Sequence, residues 1–468
     1  MIPLFERARQ HGDRRAIIAA EGTFSYRQLL ELSAGVAARL LDGADDLREA
    51  RVAFLIPSGL HYVATQWGVW RAGGIAVPLC TQHPAPELEY VLTDSQASVV
   101  IAHPQFEDRL RPIAQKLGLR FLSTGEAAAG KLPDLSPERR AMLVYTSGTT
   151  SKPKAVVTTH ANLEAQISSL VTAWEWMAND LILHVLPLHH VHGIVNVLLC
   201  ALSAGATCEM MPEFDTEKVW ARLASHELTL FMAVPTIYAR LAAKPRAGDY
   251  SHIRLMVSGS AALPVSVLER WRELTGHTLL ERYGMTETGM ILSNPLQGER
   301  RPGYVGTPLP GIEVKLVGEP AEIWVRGPGV FREYWNKPEA TEKAFRDGWF
   351  LTGDVAVLEK GMYRMLGRSS IDIIKTGGYK VSALEIEEVL REHPAIKECA
   401  VVGVADPEWG ERVCVAIVGK LTLEELREWA KQRLATYKVP SRLVVMDSLP
   451  RNAMGKVVKP ELAKLAFP

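Results

Sequence analysis

YTSGTTSKPKAV, Tyr145–Val156, follows the apolar run Ala141–Val144. A strand-like run therefore opens onto serine, glycine and threonine and then onto two lysines, Lys152 and Lys154. Hydroxyls, pliant backbone N–H groups and ammonium groups on one turn suit a polyphosphate. The GxxxxGK[ST] spacing of a Walker A loop is absent. A polar surface hairpin would have the same composition, so the flanking chain has to decide.

Outward from this stretch, short apolar runs alternate with longer amphipathic ones. On the N-terminal side Arg51–Ile56 reads as a strand, His61–Ala72 as a helix and Ile75–Leu79 as a strand, then Pro86–Ser95 as a helix and Ser98–Ala102 as a strand. The rhythm resumes on the C-terminal side, with strands at Leu181–Leu186, Ala206–Met210, Leu228–Met232 and Ile253–Val257 among helices such as Ile194–Leu202 and Pro264–Thr275. Such alternation predicts mostly parallel sheets with helices on both faces. Two blocks, before and after about Ala141, predict two packed sheets. From about Pro302 the texture turns to short β-type runs (Glu313–Val317, Ala321–Val325, Trp349–Leu351, Val355–Leu358, Met362–Met365) between Gly and Pro turns, a small β-barrel or curled sheet. Beyond Gly367 a helix, Ser382–Glu392, two strands, another helix and a last strand predict a compact α+β unit. The fold class is α/β: an N-terminal domain over residues 1–367, with its β-barrel at about 302–366, and a small mobile C-terminal domain over 368–468.

At roughly 100–200 residues per domain, 468 residues allow such an arrangement. Basic and acidic side chains number 53 each. The basic excess of proteins that live on nucleic acid or anionic membranes is lacking, so a bound nucleotide is expected to be a small one. Cys80, Cys200, Cys208, Cys399 and Cys414 show no metal-ligand spacing and suit reduced thiols in a cytosolic compartment. The most apolar stretch, Gly193–Cys208, is too short to span a membrane and contains Asn196, so a buried helix is expected. The N-terminus has Glu6 and Asp13 among its arginines and no apolar core, a poor signal peptide and a weak transit peptide. Cytoplasm is the expected location.

A second polar string, RYGMTETG (Arg282–Gly289), offers an aromatic face, a hydroxyl and a carboxylate just past a strand end, where ligands of α/β sheets gather. With SGSAALP (Ser258–Pro264), WFLTGD (Trp349–Asp354), YRMLGR (Tyr363–Arg368), KTGGYKVSALEIE (Lys375–Glu387) and PRNAMGK (Pro450–Lys456), the chain resembles the acyl- and aryl-CoA synthetase branch of the adenylate-forming enzymes over essentially its whole length. Ser151 and Ala155 depart from the glycines usual in that family's phosphate loop.

The resemblance implies an acid–CoA ligase using ATP, Mg2+ and CoA. A carboxylate attacks the α-phosphorus, pyrophosphate leaves, and CoA thiol then displaces AMP from the acyl-adenylate. It implies that Thr146, Ser147, Gly148, Thr149, Thr150, Lys152 and Lys154 hold the β- and γ-phosphates and Thr286 the α-phosphate. Glu287 would serve Mg2+. Tyr283 and Gly259-Ser260-Ala261 would face adenine, Asp354 and Arg368 would take the ribose hydroxyls, and Gly284 would belong to the same ATP site. Lys456 would drive adenylation from a movable domain, and rotation past Arg368 would then present Lys375, Gly377, Gly378, Tyr379 and Lys380 to CoA.

The acid is read from LPLHHVHGIVN and ERYGMTETGM, which resemble the malonyl-CoA synthetases, as KTGGYKVSALEIE resembles the malonyl-/methylmalonyl-CoA type. Buried Arg282 would call for an anionic partner, and a second carboxylate on the substrate is the simplest one. A surface ion pair with Glu281 or Glu287 is the competing reading of Arg282. His190 and His192 are the other substrate candidates, with at least one of the three neighbouring histidines expected to serve packing or the adenine side. Alternatives are a CoA ligase for another short-chain or aryl acid, an enzyme loading a carrier-protein thiol in trans, or a non-catalytic protein on the same fold. The partners expected are a dicarboxylic acid, ATP and CoA, with no nucleic acid and no membrane.

Overall fold

The structure, a computed structural model, describes residues 2–125, 128–146, 153–452 and 456–467. Ser147, Gly148, Thr149, Thr150 and Lys152 of the phosphate stretch lie outside the described residues. The central strands read as unbroken apolar runs because both their faces are covered. Arg51–Leu55, Ile75–Pro78 and Val99–Ala102 run parallel and are buried almost throughout. Their sheet is ordered Glu333–Tyr334, Lys154–Thr159, Arg140–Thr146, Ile75–Pro78, Arg51–Leu55, Val99–Ala102, Arg120–Ser123. The antiparallel hairpin of Arg140–Thr146 with Lys154–Thr159 pairs Thr146 with Lys154. The first sheet thus extends past Ala141 to Thr159. Backbone pairing to Ile75–Pro78 decides membership, and the sequence rhythm carries no sign of it.

A second sheet packs its parallel part in the order Arg15–Ala19, Thr207–Met210, Leu181–His184, Leu230–Ala233, Leu255–Ser258, Leu280–Met285. Its pairing continues antiparallel through Gly289–Ser293 and Tyr304–Pro308 into Met362–Arg368, Trp349–Glu359, Glu322–Arg326 and Glu313–Val317. This curled β-rich extension brings Asp354 and Arg368 toward the carboxyl ends of the parallel strands. The two runs read at Trp349–Leu351 and Val355–Leu358 form one strand, Trp349–Glu359. Gly353, at φ +71, bends it without breaking it.

The helix expected at Ile194–Leu202 begins earlier. His192–Leu199 is a π-helical segment, and Cys200–Ala204 continues it as α-helix. Among the described residues no helix is long and apolar enough to cross a membrane. The five cysteines are free and buried.

The C-terminal residues build a third sheet of Ile373–Thr376, Tyr379–Ser382, Ile396–Asp406, Gly410–Gly419 and Arg442–Val445. Ala383–Arg391, Leu423–Lys431 and Lys459–Ala466 are its helices. The apolar faces of the first two enclose a separate core around Ile374, Ile386, Val401, Val415 and Leu426.

Candidate active site

Asp354 and Arg368 face one another across the antiparallel pair Trp349–Glu359 and Met362–Arg368. Arg368 Nε donates to Asp354 Oδ1 at 2.9 Å, and the Tyr283 hydroxyl donates to Asp354 Oδ2 at 2.6 Å. Both carboxylate oxygens are therefore oriented by fixed donors, and burial with the Asp354 charge holds the Tyr283 hydroxyl well above its ordinary pKa. The trio joins the RYG, TGD and GR motifs at one point, although 71 residues separate Tyr283 from Asp354.

The turn after Leu280–Met285 carries Thr286 and Glu287. A Cβ on Gly284 would stand 2.1 Å from the Gly289 carbonyl oxygen, so the hairpin closes this tightly only with glycine there. Glu287 is buried and its carboxylate accepts from the Tyr334 hydroxyl at 2.9 Å. Burial raises its pKa, offset first by that hydrogen bond. Lys154 Nζ lies 5.3 Å from the centre of the Tyr334 ring. The phosphate hairpin and the Glu287 turn therefore meet at Tyr334, and a cavity of about 360 Å³ opens beside Lys154 and Tyr334.

Arg282 is 3 % exposed, which removes the surface ion-pair reading. Its Nε and Nη2 are buried without a hydrogen-bond partner among the described residues. Burial brings its pKa down to about 9. Glu281, its neighbour in sequence, is occupied elsewhere, accepting from the Gly303 N–H at 2.9 Å. A Cβ on Gly259 would lie 2.5–2.7 Å from the Arg282 guanidinium, so Gly259 makes the room that the guanidinium fills. Ser260, at φ +70, brings its hydroxyl to 3.2 Å from His192 Nδ1. His192 Nε2 has no partner. Burial, and then the charge of Arg282, hold its pKa far down, so the ring is neutral. A buried cation without a counter-ion beside neutral polar groups is a receptor for an anion.

Lys456 lies within electrostatic reach of this same site. Its backbone N–H donates to Asn452 Oδ1 at 3.0 Å, and the Asn452 N–H returns a bond to the Lys456 carbonyl at 2.9 Å. Arg368, Asp354 and Arg282 lie within electrostatic range of its side chain. Loss of bulk water there lowers its pKa, Arg368 and Arg282 adding repulsion and Asp354 opposing it. His190, beside it, is pushed down to about 4 by burial and then by the Lys456 charge.

The proposed CoA residues lie apart. Lys375 and Lys380 pair across the hairpin closed by Gly377 and Gly378, both at positive φ. Tyr379 is exposed and stacks face to face on Tyr437, ring centres 4.1 Å apart. Lys380 Nζ donates to the Glu319 carbonyl, and the Gly377 N–H to the Trp409 carbonyl. None of these partners belongs to the nucleotide or acid site.

The AMP-binding enzyme family matches residues 4–335. The chain belongs to that family. The AMP-binding enzyme C-terminal domain matches residues 385–456. The mouse protein "Malonate--CoA ligase ACSF3, mitochondrial" is 48 % identical, covering all of this chain and 91 % of its own. The ATP-bound crystal structure of MatB from Rhodopseudomonas palustris is 34 % identical and superposes with a TM-score of 0.92 over 99 % of each chain. The apo MatB structure, also covering 99 % of each chain, superposes at 0.81.

In this AMP-binding enzyme the structure brings together Tyr283, Asp354 and Arg368, groups Arg282 with Gly259, Ser260 and His192, and leaves Lys456 within electrostatic range of both Arg368 and Arg282. Thr286 sits on the turn beside Glu287, and Ala261 is exposed just beyond Ser260. Sequence reading missed Tyr334, which orients Glu287 from 47 residues away. It also missed Asn196 and Ser258, buried with side-chain polar atoms unpartnered. Asn196 was visible only as the polar interruption of an apolar run.

Proposed function

We propose that this enzyme is a malonate–CoA ligase, converting malonate, ATP and CoA to malonyl-CoA, AMP and pyrophosphate, with methylmalonate as the second acid its pocket would take. The single observation that carries the choice of acid is the buried, unpartnered guanidinium of Arg282. A monocarboxylate spends its only charge at the reacting end and would leave that cation uncompensated, whereas malonate supplies a distal carboxylate for bidentate pairing. Malonate–CoA ligase activity in the mouse relative supports the same reading.

Adenylation needs positive charge and donors around the α-phosphate as negative charge develops. Lys456 and Arg368 stand at the cleft, and Thr286 offers a hydroxyl. The Asp354 carboxylate, fixed by Tyr283 and Arg368, would accept from the ribose hydroxyls. Lys154, with the loop it closes, would hold the outer phosphates. Glu287 fits Mg2+: it is a buried hard-oxygen ligand that, among the described residues, accepts a side-chain hydrogen bond from the neutral Tyr334 alone. No cluster of three metal-ligating side chains exists among the described residues, so phosphate oxygens and water would complete the shell, as Mg2+ tolerates. The ion would supply charge neutralisation on those oxygens.

With the acyl-adenylate formed, the C-terminal domain, residues 368–468, would turn about the segment past Arg368 and withdraw Lys456. The Lys375–Lys380 hairpin would then face the CoA thiol, which attacks the activated carbonyl as AMP leaves. We place the reaction in the cytoplasm; free buried thiols suit a reducing compartment. AMP release measured over malonate, methylmalonate, acetate and butyrate, with and without CoA, tests the reading. Malonate should lead, and its thioester should require CoA. A monocarboxylate in the lead would refute the choice of acid.

A further inference from the structure

The helix Ala85–Asp94 packs Leu88, Val91 and Leu92 into the same apolar core as Leu143, Ala155 and Val157. Those last three belong to the hairpin that carries the phosphate-binding stretch. The packing fixes where the polar stripe of the helix falls. Tyr90 and Asp94, four residues apart, share one stripe. Both reach the hairpin beside Thr146 and Lys154, the last described pair of its ladder.

Each arm of the hairpin is held from this one helix. On the incoming arm the Tyr145 hydroxyl donates to Asp94 Oδ2 at 3.0 Å. On the outgoing arm the Tyr90 hydroxyl donates to the Pro153 carbonyl at 2.7 Å. The two tyrosine rings meet edge to face, their centres 6.3 Å apart. Burial, with the Asp94 charge adding to it, raises the pKa of both tyrosines, so each keeps its proton and stays a donor. Asp94 is steadied in turn by Lys337, whose Nζ stands 3.4 Å from Oδ1. Neither Tyr90 nor Asp94 stands in a motif string. A phosphate site made of backbone N–H groups gains affinity when its flanks are held before the ligand arrives, because less ordering is left to binding.

We propose that Tyr90 and Asp94 are positioning residues for the outer phosphates of ATP. Asp94 acts through Tyr145 and Tyr90 through the Pro153 carbonyl, so that Thr146 and Lys154 are set at their places in advance. The pair serves the β- and γ-phosphates only. AMP, which lacks both, gains nothing from it.

The inference rests on the reading that this stretch holds the outer phosphates, and a Lys154 variant tests that reading separately. The measurement is the dissociation constant of ATP with Mg2+, and of AMP, by calorimetry on the whole enzyme without acid or CoA, together with the thermal midpoint. Lys154→Ala should weaken ATP and spare AMP. Tyr90→Phe keeps the ring and removes only the hydroxyl; Asp94→Ala removes the acceptor for Tyr145. Each should weaken ATP by about 2- to 10-fold, the worth of one hydrogen bond, with AMP binding held at the wild-type value. Tyr90→Phe carries the test if the alanine protein does not fold. If Lys154→Ala is selective for ATP while Tyr90→Phe leaves ATP unchanged, or weakens ATP and AMP alike, the tyrosine is a packing residue and the inference is overturned. If Lys154→Ala leaves ATP binding untouched, the reading of the stretch as the phosphate site falls, and the inference with it.

Discussion

A missing side chain makes room for the charge at the centre of the site: Gly259 lacks the Cβ that would strike Arg282. The guanidinium so admitted has no counter-ion among the described residues, and we assign it the distal carboxylate of malonate. Pairing a buried charge of this type and then removing one partner costs about 2–5 kcal/mol. Arg282→Leu should therefore lower kcat/KM for malonate by roughly 30- to 5000-fold, leave KM for ATP near normal and narrow the gap to butyrate. Equal losses for both acids would make Arg282 a structural residue. Glu287 acts at the other end of the same turn. Glu287→Gln keeps the size and the acceptor for Tyr334 but removes the charge. Activity should fall steeply and recover in part as Mg2+ is raised; an unchanged Mg2+ dependence would detach Glu287 from the metal. Arg282 and Glu287 both stood out as candidates in the sequence, because each stands in a dense string of reactive residue types. Gly259's role was not, since it depends on a contact with a side chain on the neighbouring strand.

At the scale of the element, the strand Leu280–Met285 carries Glu281 and Arg282 in opposite directions, as alternation along a strand requires. Glu281 points away from the acid pocket, toward Gly303 and Glu388. Burial is the main cause that raises its pKa to about 8, with the Glu388 charge adding to it. The unfolded chain ionises this carboxyl near 4.5 while the folded chain keeps it protonated to about 8. Between those values the unfolded state binds fewer protons, so stability falls as pH rises. Glu281→Gln keeps an acceptor for the Gly303 N–H and removes the titration. Melting at about pH 5 and about pH 8 should show wild type losing several degrees more than the variant. Parallel curves would mean that Glu281 ionises freely in the fold.

Strands and helices of the central sheets were readable to within a few residues, because burial on both faces writes continuous apolar runs. The π-helical turn at His192–Leu199 was not readable, because its apolar positions would satisfy an α-helix equally well. Tyr334 escaped for a different reason: nothing local in its two-residue strand signals a partner on a distant turn.

Across the whole molecule, the structure has Lys456 within reach of Arg368 and Asp354 while the Lys375–Lys380 hairpin is engaged with Glu319 and Trp409. We assign this arrangement to adenylation and not to thioester formation. Lys459, three residues on, bonds Asp372 at 2.5 Å and Glu387 at 2.7 Å, and Asp372 also accepts the Arg368 N–H. The loop bearing Lys456 is thereby tied to the segment about which the C-terminal domain would turn. Lys456→Ala should lower adenylate formation by roughly 10²–10³ and leave thioester formation from supplied malonyl-adenylate nearly intact. Equal losses in both half-reactions would show that the domain does not alternate. The proposed division of labour was inferred from the order of motifs, but which of the two arrangements the chain adopts was not, since that rests on contacts between distant segments.

One competition decides the substrate most directly. Malonate and butyrate at equal concentration, with limiting enzyme, ATP, Mg2+ and CoA, yield two thioesters whose initial ratio is the ratio of their kcat/KM values. Malonyl-CoA should dominate the products by mass detection from the first minutes. Butyryl-CoA in excess would contradict the assignment of the buried Arg282 guanidinium to a distal carboxylate.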